Sequence, residues 1–83
     1  MAYRMDLREV FAANLRRLRH ETGLSQEELA YEAGVNRTYI SKLEKGMSHP
    51  GLEIIGKLAA VLAVEPAALL KLPAKKRGKI KNS

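Results

Sequence analysis

The sequence contains no cysteine, which excludes a disulfide framework and any thiolate-ligated zinc site. Histidine is nearly as scarce. His20 and His49 are the only two, too few for a dedicated metal site, and no cofactor is expected. The longest apolar run, Leu58 to Val64, has seven residues, whereas a membrane span needs about 20. The opening stretch MAYRMDLREV has no apolar core of the kind a secretion signal carries. A cytoplasmic location with no membrane partner is the expectation. Catalytic groups are sparse as well. Asp6 is the only aspartate, and there is neither a Gly-x-Ser-x-Gly elbow nor a glycine-rich phosphate loop. His20-Glu21 has no second histidine four residues after the first, so the helical zinc-protease motif is missing. No set of residues assembles a nucleophile, a base and a group to orient it, so an enzyme is not expected.

What is present fits one small folded domain. Hydrophobic residues make up 46% and charged residues 29% of the 83, a balance typical of globular rather than disordered chains. A domain of this size buries roughly 60% of its unfolded surface, so its stability is modest. The charge is uneven. The net is +6, from 15 Lys and Arg against 9 Asp and Glu. Lys71, Lys75, Lys76, Arg77, Lys79 and Lys81 all lie in residues 71–83, which hold no acid. The first 70 residues are therefore neutral overall, and the high isoelectric point belongs to a tail. Residues 1–72 are expected to fold, and 73–83 to form a disordered basic tail, because Ile80 is its one large apolar residue.

Five short helical patterns fit between stop signals, and no β-alternation appears, so the expected fold is an all-α bundle. The first helix is expected from about Asp6 to Glu21, with Leu7, Val10, Phe11, Leu15 and Leu18 on one face. Asp6 reads as its cap, with Glu9 completing a loose capping box, and Gly23 as its stop. Ser25-Gln26-Glu27-Glu28 is a capping box opening a second helix, which ends at Gly34. Asn36 caps a third, with Ile40 and Leu43 as core residues. A fourth spans about Leu52 to Leu62, with Leu52, Ile55, Leu58, Ala59 and Leu62 facing inward. Pro66 starts a brief fifth, and Pro73 terminates it.

The informative stretch is Ser25 to Gly46. Two short helices joined by a three-residue turn cannot lie antiparallel and must cross steeply, as in a helix-turn-helix. The second helix of such a unit projects and can enter a major groove. Arg37, Thr38, Ser41, Lys42 and Lys45 point away from the Ile40–Leu43 stripe. Arg and Lys can bond guanine edges, and Ser or Thr several bases. Glu44, the helix's one acid, is expected to turn back toward the first helix. A neutral domain thus gathers positive charge where a groove-reading surface belongs. Away from this motif, the same side chains would read as an ordinary solvated face.

The strings Leu24-Ser25-Gln26-Glu27-Glu28-Leu29-Ala30, Ala33-Gly34-Val35 and Ile40-Ser41-Lys42-Leu43-Glu44-Lys45-Gly46 resemble the Cro/CI-type (XRE) helix-turn-helix regulators. The resemblance extends to Leu58-Ala59-Ala60-Val61-Leu62 and covers about Phe11 to Leu70. Asn36 to Ser41 is also similar to the recognition helix of restriction–modification controller proteins. The resemblance implies a compact, five-helix, lambda-repressor-like DNA-binding domain. It implies that Arg37, Thr38 and Lys42 read bases of double-stranded DNA. It further implies that Gln26, Tyr39, Ser41, Lys45 and the loop from Met47 to His49 meet phosphate or flanking bases, with Ser25, Asn36, Ser48 and His49 in that backbone group. Arg19 and Glu44 match a structural ion pair. Two positions depart from the pattern: Gly51 and Glu65 stand where Ser, Thr or Asp caps are usual.

Some alternatives stay open at this level. Tyr39 either packs partly against the first helix or meets DNA. Near DNA, the basic tail would strengthen binding through counterion release without adding sequence choice. Ile54, Val61, Leu69, Leu70 and Leu72 exceed what the core needs and point to a homodimer. Its two recognition helices would sit about 34 Å apart and read an inverted repeat. The leading expectation is a sequence-specific transcriptional regulator that blocks a promoter or touches RNA polymerase beside one. The competing reading is a protein–protein module, such as the antitoxin half of a toxin–antitoxin pair.

Overall fold

The computed structural model describes residues 6–73. The basic tail, from residue 74 onward, lies outside the described residues. Four α-helices follow in order: α1 Leu7–Thr22, α2 Gln26–Ala33, α3 Arg37–Glu44 and α4 Leu52–Leu62. A 3-10 helix, Pro66–Leu70, closes the domain.

The helix boundaries follow from the local chemistry. Asp6 caps α1 by accepting from the Arg8 N–H at 3.0 Å. The reciprocal bond expected from Glu9 is not formed, and the Asp6 carboxylate also pairs with the Arg8 guanidinium at 3.1 Å. Ser25 and Glu28 form the expected capping box on α2, with bonds of 3.0 and 2.8 Å. Asn36 caps α3 by accepting from the Tyr39 N–H at 2.8 Å. Gly34, between α2 and α3, has φ of 75° and returns its N–H to the carbonyls of Ala30 and Tyr31. A side chain there would meet a left-handed strain that glycine escapes. α4 starts at Gly51 with no side-chain cap.

The core lies where α1, α2, α3 and α4 converge. Phe11, Leu15, Leu29, Ile40, Leu43, Leu58 and Leu69 are almost wholly buried. Each such side chain contributes about 1.5–3 kcal/mol relative to exposure. Two expectations for the leucines fail. Leu52 is 87% exposed, since as the first residue of α4 it lies a turn ahead of the buried Ile55. Leu69 is fully buried and cannot offer its side chain to a second copy. The fifth helix is also a 3-10 rather than an α-helix, which leaves five residues to seat one leucine.

Asn14, which sequence reasoning passed over, holds that element in place. Its Nδ2 donates to the carbonyls of Leu69 and Lys71, both at 2.9 Å. Its Oδ1 accepts from Arg17 Nη2 at 3.1 Å. The chain end is thus fastened to α1 by a buried amide that satisfies two carbonyls beyond reach of ordinary helix bonds. Replacing Asn14 by Leu should destabilise the domain by about 1–3 kcal/mol, because both carbonyls lose their donor. Urea denaturation followed by circular dichroism measures this, and a variant as stable as the parent would contradict it.

Candidate nucleic-acid interface

α2 and α3 are joined through residues 34–36, and α3 sits with one face in the core and the other outward. Ile40 and Leu43 anchor it, while Arg37, Thr38, Lys42 and Lys45 are exposed. Among the described residues, none of these four side chains has a hydrogen-bond or ion-pair partner. The first turn of α3 holds no acid. Ser41 and Ser48 are half-buried and His49 is exposed. Tyr39 is half-buried and packs partly on the core. Ser25 and Asn36 each use a side-chain oxygen as a helix cap. Ser25 serves the N–H of Glu28, and among the described residues the N–H groups of Gln26 and Glu27 stay open at the start of α2. The structure therefore brings the expected base-reading residues onto one face, with the N-terminus of α2 as a separate cluster of donors.

Behind this face sits a buried polar junction. Arg19 grips Glu44 with both ends of its fork: Nε to Oε2 at 2.5 Å and Nη2 to Oε1 at 3.0 Å. The Arg19 and Glu44 side chains are only 11% and 4% exposed. Arg19 Nη1 donates to the Leu24 carbonyl at 2.9 Å. Gln26 Nε2 donates to Glu44 Oε1 at 3.0 Å, so the amide expected to face phosphate already has an internal partner. Arg16 Nη1 donates to the backbone carbonyl of Glu44. Neither Arg16 nor the Gln26 contact was foreseen. The available signal was that Arg16 and Arg19, three apart, share a helix face.

The junction decides the charge state of Glu44. Burial pushes its carboxyl up, but hydrogen bonds from Arg19 and Gln26, with the nearby positive charge of Arg19, outweigh it and hold the carboxyl below its ordinary value. Unfolded, the residue binds its proton more readily, so stability rises with pH across the acid range. The contribution is fully present above the ordinary glutamate value and is lost as pH falls through the folded one. Glu44→Leu should cost about 3–5 kcal/mol near neutrality, since it leaves a buried guanidinium without counter-charge. Denaturant titrations from pH 7 to 3 should show the gap between parent and variant narrowing toward acid. A gap independent of pH would sink this account.

A pair of short helices crossing through a tight turn, with unpaired cations on the outer face of the second, defines a helix-turn-helix domain. The family model described as "Helix-turn-helix" matches residues 15–69, well over half of the chain, and the chain belongs to that family. A hypothetical transcription factor of Neisseria meningitidis is 45% identical over 75 residues, covering 90% of this chain and 70% of that protein. The restriction–modification controller protein C.AhdI of Aeromonas hydrophila superposes with a TM-score of 0.73 at 42% identity, over 75% of this chain and 94% of that one. SinR, a transcriptional regulator of Bacillus subtilis, has been solved in complex with DNA. That structure matches with a TM-score of 0.71 at 34% identity, over 74% of this chain and 98% of its own.

Proposed function

We propose that this chain is a DNA-binding transcriptional regulator that reads an inverted-repeat operator as a homodimer. One observation carries the reading: the outer face of α3 bears exposed cations that nothing in the described domain neutralises. An unpaired guanidinium and ammonium beside a hydroxyl are the donors that guanine and neighbouring base edges accept. The likeness to a solved DNA complex and to a restriction–modification controller supports the same conclusion, and the controller role is the branch favoured.

Roles within the site follow from chemistry and position. Arg37, Thr38 and Lys42 are assigned to base edges in the major groove. Ser41 and Lys45, with the loop residues Ser48 and His49, are assigned to the backbone. Gln26, beside the open N–H groups of α2, is assigned to a phosphate, since donors at a helix N-terminus favour an anion. Ser25, Asn36 and Tyr39 support that surface from their capping and packing positions. Arg19 and Glu44 fix it from behind. Phosphate contacts set register, and base contacts select sequence.

The dimer surface is assigned to Ile54 and Val61, half-buried on α4, together with Leu70 and Leu72, which are 39% and 52% exposed. Leu69 is removed from that set by its burial. Bound beside a promoter, such a dimer would act by occupancy or by touching RNA polymerase.

Selection of binding sites from a randomised duplex library at near-physiological salt tests the function directly. An enriched inverted repeat, with half-sites about ten base pairs apart, is the expected result; enrichment of a single half-site would remove the dimer, and no enrichment would remove the function. On the enriched duplex, Arg37→Ala should cost about 1–3 kcal/mol and relax preference at one base pair. Lys45→Ala should weaken cognate and scrambled duplexes alike and flatten the salt dependence. Equal effects of both substitutions on both duplexes would mean that Arg37 does not read a base.

A further inference from the structure

Gln26 reaches Glu44 through Nε2, at 3.0 Å from Oε1. A carboxylate only accepts, so the amide must turn its NH2 toward it and its carbonyl away. The NH2 carries two hydrogens. One is committed to Glu44, and the second has no partner among the described residues. The carboxylate cannot rotate to follow another partner. Its Oε1 also takes Arg19 Nη2 at 3.0 Å, and its Oε2 takes Arg19 Nε at 2.5 Å. Arg19 is in turn tied to the Leu24 carbonyl, and the Glu44 backbone carbonyl to Arg16. A glutamine without such a partner has a broad, roughly two-fold terminal torsion. Before contact it would populate both orientations, and turning its NH2 to an approaching phosphate would cost that torsional freedom.

We propose that Glu44 is a positioning residue for DNA binding: it holds the Gln26 amide so that an N–H, and never the carbonyl oxygen, meets the phosphate. The proposal rests on the assignment of Gln26 to a phosphate. Glu44 itself stays 4% exposed and matched by Arg19, so its negative charge orients a donor without repelling the backbone it serves. The last residue of α3 thereby prepares the first residue of α2. A structural ion pair alone would tie α1 to α3 and leave Gln26 free.

The test is a double-mutant cycle with Gln26→Ala and Glu44→Gln, read as affinity for one mixed-sequence duplex at low salt. Such a duplex suffices because a phosphate contact acts on all sequences alike. Gln26→Ala should weaken binding roughly three- to tenfold, the range of one net hydrogen bond. Glu44→Gln should weaken it about twofold more when Gln26 is present than when residue 26 is Ala, the excess being what fixing a two-fold torsion is worth. Equal losses in both backgrounds would show a purely structural role and overturn the proposal. No loss from Gln26→Ala would overturn the phosphate assignment itself, a different failure. The unaltered chain supplies a second measurement should Glu44→Gln fail to fold. In its nitrogen-15 spectrum one Gln26 side-chain amide proton should be protected from solvent exchange, and only the other should shift on duplex addition. Two protons that move together would overturn the proposal as well.

Discussion

Glu44 closes α3, and its buried charge has to be met from elsewhere in the chain. Arg19 meets it with two bonds from α1, Gln26 adds one from α2, and Arg16 takes the backbone carbonyl. Three helices thus converge on one residue. A buried ion pair of this kind adds little net stability over apolar packing, but losing either partner is costly. Its consequence here is geometric. Hydrophobic contacts are non-directional and would allow α3 to slide or rotate by small steps against Phe11, Leu15 and Leu29. Hydrogen bonds to a carboxylate have direction, so the junction sets the rotation at which α3 presents its outer face.

The cations of the domain fall into two populations. Arg8 and Arg17 are paired with acids near them in sequence, and Arg19 with a buried one. Arg37, Lys42 and Lys45 have no such partner among the described residues. In a stretch whose first 70 residues are neutral overall, an exposed positive surface arises by pairing elsewhere rather than by excess. Acids pair with Arg8, Arg17 and Arg19 of α1, and the single acid of α3 is drawn inward. The local field at α3 therefore owes as much to where Glu44 points as to the cations themselves.

The closing segment shows the same economy of polar anchors. Leu69 supplies apolar burial and Asn14 supplies the directional bonds. Once Leu69 is committed to the core, the exposed apolar residues nearby are Leu70, Leu72 and Leu7, with Leu52 on the first turn of α4. A groove lined by Leu7, Phe11, Pro50, Ile55 and Leu70, with Arg8 and His49, includes two of them. The apolar surface available for association is thus narrower, and differently placed, than a count of leucines implies.

Much of the fold was legible in residue order because the decisive signals are local. Caps at Asp6, Ser25 and Asn36, glycine stops at Gly23 and Gly34, and the spacing of Ile40 and Leu43 each act within a few residues. The cation-rich face of α3 and the inward turn of Glu44 follow from the same periodicity. What escaped sequence reading depends on groups brought together from far apart. The bonds of Asn14 to carbonyls 55 and 57 residues away, the exposure of Leu52 and the burial of Leu69 are set by how α4 and the closing 3-10 helix pack on the rest of the domain. The contact of Gln26 with Glu44, 18 residues apart, belongs to this second group. By itself the sequence determined which segments are helices and which side chains of α3 face outward. Only the tertiary structure decided which polar groups meet across helices, because the partners of a side-chain hydrogen bond depend on the packing of distant segments rather than on the helix that carries it.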